Sequence, residues 1–182
     1  MSSDNNTPVI VWFRQDLRLS DNPALMAAHE CGQPIIPLYI LDDVNSDEWR
    51  MGGASRWWLH QSLKALNFNL DGNLVFEKGN PENILKEILK TTGANKIFWN
   101  RCYEPWRISR DKEIKKNLNN NALTVKSFNG SLLYEPLNVL KEDGTPYKVF
   151  TPFYKKGCLT RGGEPRSPIA KPEKFKFYQY EL

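Results

Sequence analysis

Between Arg14 and Asp21 two arginines and two aspartates alternate within eight residues, directly after the apolar run Val9-Ile10-Val11-Trp12-Phe13. Guanidinium groups grip carboxylates and phosphates, and carboxylates accept N–H groups. Such a segment therefore either holds a polar ligand or locks its own turn with ion pairs. Comparable groups recur further on: Asp42 and Asp43 follow Leu41, and Asn100, Arg101 and Glu104 follow Trp99. Trp12, Trp49, Trp99, Tyr103 and Trp106 lie close to the same points. Rings to stack on, with carboxylates to accept N–H groups, suit a planar heteroaromatic ligand. For Trp57 and Trp58, placed in mid-helix, core packing is the expectation. The chain carries no GxGxxG, no GxxxxGK[ST], no GxSxG and no HExxH, and Gly52-Gly53 is a lone pair. Cys31, Cys102 and Cys158 are scattered without a CxxC, and His29 and His60 have no paired Cys or Ser. These spacings argue against a disulfide framework, a metal site and a self-sufficient catalytic centre.

The elements that must position these groups follow from the apolar pattern. Val9–Phe13 reads as a strand buried on both faces, as in a parallel sheet. Asn22 as N-cap and Pro23 at the first helical position start a helix that runs to about Cys31, with Gly32 as its stop. Ile35 to Leu41 is a second buried strand, its regular part expected to begin after Pro37, which cannot donate to a ladder. Residues 45–53 read as a loop. A helix follows from about Ala54 to Leu70, with Leu59, Leu63, Leu66 and Leu70 on one face. Leu74–Glu77, Lys96–Trp99 and Leu123–Phe128 are further strands. Between them lie a helix from Pro81 to Gly93 and another that ends at the Asn119-Asn120-Asn121 break. Five strands alternating with four helices predict a Rossmann-like, doubly wound α/β fold: a five-stranded parallel sheet with helices on both faces, in three layers. In such a sheet the carboxyl ends of the strands share one edge, and a ligand crevice opens there.

Residues 1–140 balance 16 basic against 16 acidic side chains, whereas 141–182 hold nine against five, so the net charge of +4 sits entirely in the last segment. There the basic residues are diluted by Pro, Gly and Glu. They read as a solvated tail rather than a nucleic-acid flank. Residues 1–8 are short, polar and expected to be disordered, with no signal-peptide core. No apolar run approaches the ~20 residues of a membrane span, so a cytoplasmic protein without membrane contact is expected. After Gly130 the periodic pattern stops. Residues 136–182 read as the start of a linker without a core of its own, ending on Phe175, Phe177, Tyr178, Tyr180 and Leu182, rings that call for a partner surface to cover them.

The segment Trp12-Phe13-Arg14-Gln15-Asp16-Leu17-Arg18-Leu19-Ser20-Asp21-Asn22-Pro23-Ala24-Leu25 resembles the N-terminal signature of the DNA photolyase/cryptochrome family. Later matches keep the order: Tyr39-Ile40-Leu41-Asp42, Arg50 and Arg56, Asn100 to Pro105 with Arg110-Asp111, and Pro146-Tyr147, Val149-Phe150, Thr151-Pro152-Phe153. The resemblance implies that residues 9–135 form the α/β domain that holds a light-harvesting antenna chromophore. It also implies a partner: a larger C-terminal helical domain of the same protein that binds flavin adenine dinucleotide (FAD) and damaged DNA. FAD belongs to that domain alone, so these 182 residues by themselves are expected to be catalytically inactive and monomeric, with DNA met only through the absent domain.

For the antenna site the resemblance singles out Arg14, Leu41, Asp42, Arg50, Gly52, Arg56, Asn100, Arg101, Glu104 and Trp106, and leaves Asp16, Arg18 and Asp21 as a structural lock of the turn. Trp106-Arg107 stands where folate-binding members carry Asn-Glu, and the histidine of those members falls near Gly52. Glu104 matches one acid of the deazaflavin type while Cys102 replaces the other. The resemblance therefore leaves a deazaflavin, a flavin, a folate held differently or an empty pocket, with the pattern leaning toward the tricyclic pair over folate. Photolyase, cryptochrome photosensor and stand-alone nucleotide-binding module are the three functional readings.

Overall fold

The computed structural model of the chain describes residues 6–118 and 122–180. Most of the expected disordered start and the Asn119–Asn121 break lie outside these residues. Five strands form one sheet: β1 (Val9–Phe13), β2 (Ile35–Leu41), β3 (Val75–Lys78), β4 (Lys96–Asn100) and β5 (Thr124–Phe128). Their order is β3-β2-β1-β4-β5, and every neighbouring pair is parallel. Four helices make the crossovers: α1 (Pro23–Glu30), α2 (Gly53–Asn69), α3 (Pro81–Thr92) and α4 (Pro105–Leu118). The chain winds outward from β1 to β3, returns, and places β4 on the other side of β1. The order thus reverses at β1, the place where doubly wound sheets hold ligands.

β1 is central and all five of its residues are buried. Its alternate side chains serve two cores. Val9, Val11 and Phe13 pack with Leu25 and Ala28 of α1 and with Leu63 and Leu66 of α2. Ile10 and Trp12 pack with Leu85 and Ile88 of α3 and with Ile114 and Leu118 of α4. Each fully buried large apolar side chain contributes about 1.5–3 kcal/mol, so both helical layers are held to the sheet by its middle strand. The helix signals act as the sequence requires. Asn22 accepts a hydrogen bond from the Leu25 amide at 3.1 Å, Asn80 caps α3 from the Glu82 amide at 2.9 Å, and Gly93 ends α3 with φ of 69°.

Two local expectations change. Pro37 lies inside β2 rather than before it, paired with Val11. β3 joins β2 only from Leu38 onward, so Pro37 sits where the strand is still an edge and its missing N–H costs no ladder bond. The same open stretch takes up the aromatic segment 175–180, whose rings are half-buried against the α/β unit. The Ile35 amide donates to the Lys176 carbonyl at 2.7 Å, and the Tyr178 amide donates to the Ile35 carbonyl at 3.0 Å. Phe175 and Phe177 pack on the α1/α2 side, and Tyr178 and Tyr180 on the α3/α4 side. Residues 169–180 are thus a strap on the α/β unit.

Residues 131–168 form a compact unit of their own. It holds a 3₁₀ turn over Pro136–Val139 and a helical turn over Phe150–Pro152 that runs on in wider π-type turns through Phe153–Arg161. The short helix expected after Pro152 thus begins earlier and extends further. Within this unit Arg161 pairs with Glu142 at 2.9 Å.

Candidate ligand crevice at the carboxyl edge of the sheet

A crevice of about 1020 Å³ opens over the carboxyl ends of β1 and β2. Its walls come from Trp12 and Arg14 at the end of β1, Tyr39, Leu41 and Asp42 at the end of β2, and Trp106, Arg107 and Arg110 in the first turns of α4. The remaining wall is one face of α2, where Ser55, Trp58, Ser62, Ala65 and Asn69 recur at helical spacing. Leu63, Leu66 and Leu70 anchor α2 to the core, which leaves this face of small residues and one indole toward the opening. The volume is ample for a polycyclic ligand, and the mixture of rings with a few charged groups is that of a small-molecule site.

Beneath the crevice lies a buried charge network built across the sheet. The Arg14 guanidinium donates to the Asp111 carboxylate and to the Asn100 carbonyl. Arg110 donates to Asp111 at 2.7 Å and to Asp42 at 2.9 Å. The side chains of Arg110, Asp42 and Asp111 are only 8, 6 and 11% exposed. Burial alone would lower the Arg110 pKa, but Asp111 and Asp42 outweigh it and raise it above the usual guanidinium value. Both arginines lie on indole rings: Arg14 stands 5.1 Å and Arg110 5.0 Å from the Trp12 centroid, while Arg107 and Arg110 stand 4.8 and 5.2 Å from that of Trp106. Asp42 also accepts from the Asn45 amide at 2.9 Å and from the Asn45 side chain. Its oxygens are engaged within the protein, so it fixes Arg110 and the loop after β2.

The structure brings together four of the residues singled out for the antenna site, Arg14, Leu41, Asp42 and Trp106, as walls of the crevice. Arg56 stands one step behind: it pairs with Asp43, itself a wall residue, at 2.7 Å and donates to the Met51 carbonyl. The Arg56 hydrogen bond holds the Asp43 carboxyl below the usual carboxylate range. Gly52 caps α2 and Arg50 is exposed. Arg101 points to β5 and donates to the Ser127 carbonyl at 2.6 Å. Glu104 accepts from the wall residue Gln15 at 2.6 Å. Asn100 is 1% exposed and lies under the first turn, where it donates to Asp16 at 2.6 Å and to Asn22 at 2.7 Å. In that turn Asp16 also accepts from the Arg14 amide, and Asp21 exchanges two hydrogen bonds with Ile169.

Arg18 is both a wall residue and a brace: it donates to the carbonyls of Asp21 and Gly130. Its side chain is 38% exposed, so Arg18→Ala is expected to lower stability by about 1 kcal/mol. Affinity for a planar ligand in the crevice should change less than twofold. A denaturant titration and a binding isotherm compare the two, and a larger loss of affinity than of stability would make Arg18 a ligand group.

Tyr39, Arg107, Arg110 and the α2 face are crevice residues that motif reasoning did not single out for the site. Trp57 and Trp58, expected in the core, are 62 and 69% exposed, because the leucine face of α2 takes the core and leaves both indoles outside it. Burial pushes the Tyr39 phenol up to about 12, against a lowering influence of Arg107. The fold prefers the protonated phenol, so this contribution is complete below pH 10 and is lost as pH rises through 12. Urea unfolding is expected to lose roughly 2–3 kcal/mol from this group over that interval, and Tyr39→Phe should remove that part of the pH dependence. An equal alkaline loss in Tyr39→Phe would assign it elsewhere.

Sheet order, crevice position and wall chemistry together define a doubly wound α/β domain with a small-molecule site at its carboxyl edge. The DNA photolyase family model matches residues 9–173, and the chain belongs to that family. It is 46% identical over 169 residues to the deoxyribodipyrimidine photo-lyase of Agrobacterium fabrum (strain C58), covering 91% of this chain and 34% of that protein. It is 40% identical to cryptochrome-1 of Arabidopsis thaliana, covering 91% of this chain and 24% of that protein. Among solved structures it is similar to a bacterial class III photolyase from Agrobacterium tumefaciens, with 42% identity and a TM-score of 0.86 over 98% of this chain and 37% of that one. The chain thus spans between a quarter and a little over a third of the length of these relatives.

Proposed function

We propose that this α/β unit is the antenna domain of a light-driven DNA repair lyase, and that its crevice holds a planar heteroaromatic pigment. The observation that carries the reading is the crevice itself: a site of about 1020 Å³ walled by Trp12, Trp49, Trp58 and Trp106, with Arg14, Arg107 and Arg110 among its charged groups. Indole faces and guanidinium planes bind flat conjugated rings, and a pigment bound there supplies absorption in the near-ultraviolet to blue. Trp58 and Trp106 offer the stacking faces, the guanidiniums of Arg14 and Arg110 lie beside them, and the small-residue face of α2 forms the facing wall. FAD and the damaged DNA belong to a helical domain outside this chain, so these residues act as a monomeric, cytoplasmic light-collecting module. The greater identity to the Agrobacterium photo-lyase than to the Arabidopsis cryptochrome favours repair over signalling.

Fluorescence titration of the purified chain with flavin mononucleotide, an 8-hydroxydeazaflavin and a methenylated tetrahydrofolate tests this. One pigment is expected to bind saturably and to lose at least about tenfold in affinity in Trp58→Ala, since a stacked ring is worth one to a few kcal/mol. Failure of all three to bind would replace the antenna reading with that of a module without a light role.

A further inference from the structure

We propose that Arg107 and Arg110 keep Trp12 and Trp106 from quenching an excited pigment, beyond any part they take in binding it. The inference rests on the antenna reading above. An indole in van der Waals reach of an excited heteroaromatic pigment is an electron donor. One electron leaves the indole for the excited pigment and returns in the dark, so nothing is consumed, but the absorbed energy is lost as heat. An antenna walled by tryptophan carries this liability at every indole it uses for stacking.

The structure sets cations against two of these rings. At Trp12 the guanidiniums of Arg14 and Arg110 stand 5.1 and 5.0 Å from the ring centroid. At Trp106 the guanidiniums of Arg107 and Arg110 stand 4.8 and 5.2 Å from the ring centroid. A guanidinium over an indole face stabilises the neutral ring and opposes the positive charge the ring would carry after losing an electron. At about 5 Å inside a protein that opposition exceeds thermal energy several times over, so electron donation becomes slow. Asp42 and Asp111 pair with Arg110 and offset part of its charge. Arg107 meets Glu104 at the looser distance of 3.6 Å and is the less neutralised cation on Trp106. At Trp12 the indole N–H is buried without an acceptor. An oxidised ring there has no base to take its proton, and the electron must return.

The test is the fluorescence lifetime, at saturation, of whichever of the three pigments binds, compared in a Trp49→Phe/Trp58→Phe background that removes the two wall indoles without a guanidinium contact among the described residues. Arg107→Met is expected to shorten it at least about threefold, through the lost charge over Trp106. Arg107→Lys retains the lifetime. Trp106→Phe alone changes it little, because that donor is already held back, and the double variant Arg107→Met/Trp106→Phe returns to the original value. An unchanged lifetime in Arg107→Met, or a shortening that persists in the double variant, overturns the inference while leaving saturable binding, and so the antenna reading, intact. Absence of a saturable isotherm for all three pigments overturns both.

Discussion

Arg110→Ala is expected to destabilise the domain by about 3–5 kcal/mol, the loss that follows when one partner of a buried charge network is removed. Arg110 joins Asp42, which follows β2, to Asp111 in α4, and its planar group also covers Trp12 and Trp106. Arg14 still satisfies Asp111 when Arg110 is gone. Asp42 is therefore the stranded group, 6% exposed and left with Asn45 and the Val44 amide. For a chain of this size the melting temperature should fall on the order of 10 °C. Adding Asp42→Asn to Arg110→Ala should recover at least about 1 kcal/mol by removing the uncompensated charge. A loss below 1 kcal/mol in the single variant, or no recovery in the double, would mean that the network does not support the fold.

Asn100→Ala is expected to cost about 3 kcal/mol while leaving pigment affinity per folded molecule within about twofold. Its amide oxygen accepts from the Ala24 amide at 3.2 Å, and its amide nitrogen serves Asp16 and Asn22. One side chain thus joins the end of β4, the first turn and the start of α1. Gly130 is shaped to it: a Cβ at that position would come within 2.6–2.9 Å of the Asn100 side chain. Equilibrium unfolding and a pigment isotherm measured together decide the point. A variant of unchanged stability and weakened binding would return Asn100 to the ligand site.

The sheet was largely legible because its signals are local. The run Val9 to Phe13 declares a strand buried on both faces, and the Asn-Pro pairs at 22–23 and 80–81 mark helix starts without reference to the rest of the chain. Arg14, Asp42 and Trp106 could be placed at one edge by topology alone. Arg110 could not be recognised as the hub, because its meaning lies in partners far off in sequence: Asp42 is 68 residues away, and Asp111 reaches Arg14 across 97. Asn100 and Arg101 carry the right chemistry at the right strand end, yet alternation turns one under the first turn and the other toward β5. Trp57 and Trp58 misled because bulk suggested burial, whereas the leucine face of α2 decides which side meets the core. The strap escaped notice because its docking site exists only where β3 stops short along β2.

That strap also bears on vectorial synthesis. The Asp21–Ile169 contact closes a loop of 148 residues, and such closures are entropically late. Every wall of the crevice, by contrast, lies between Trp12 and Arg110. Roughly sixty residues separate Arg110 from the strap, several seconds of elongation at about 5–20 residues per second. A nascent chain can therefore assemble its crevice while the segment that fastens the far end of β2 is still being made.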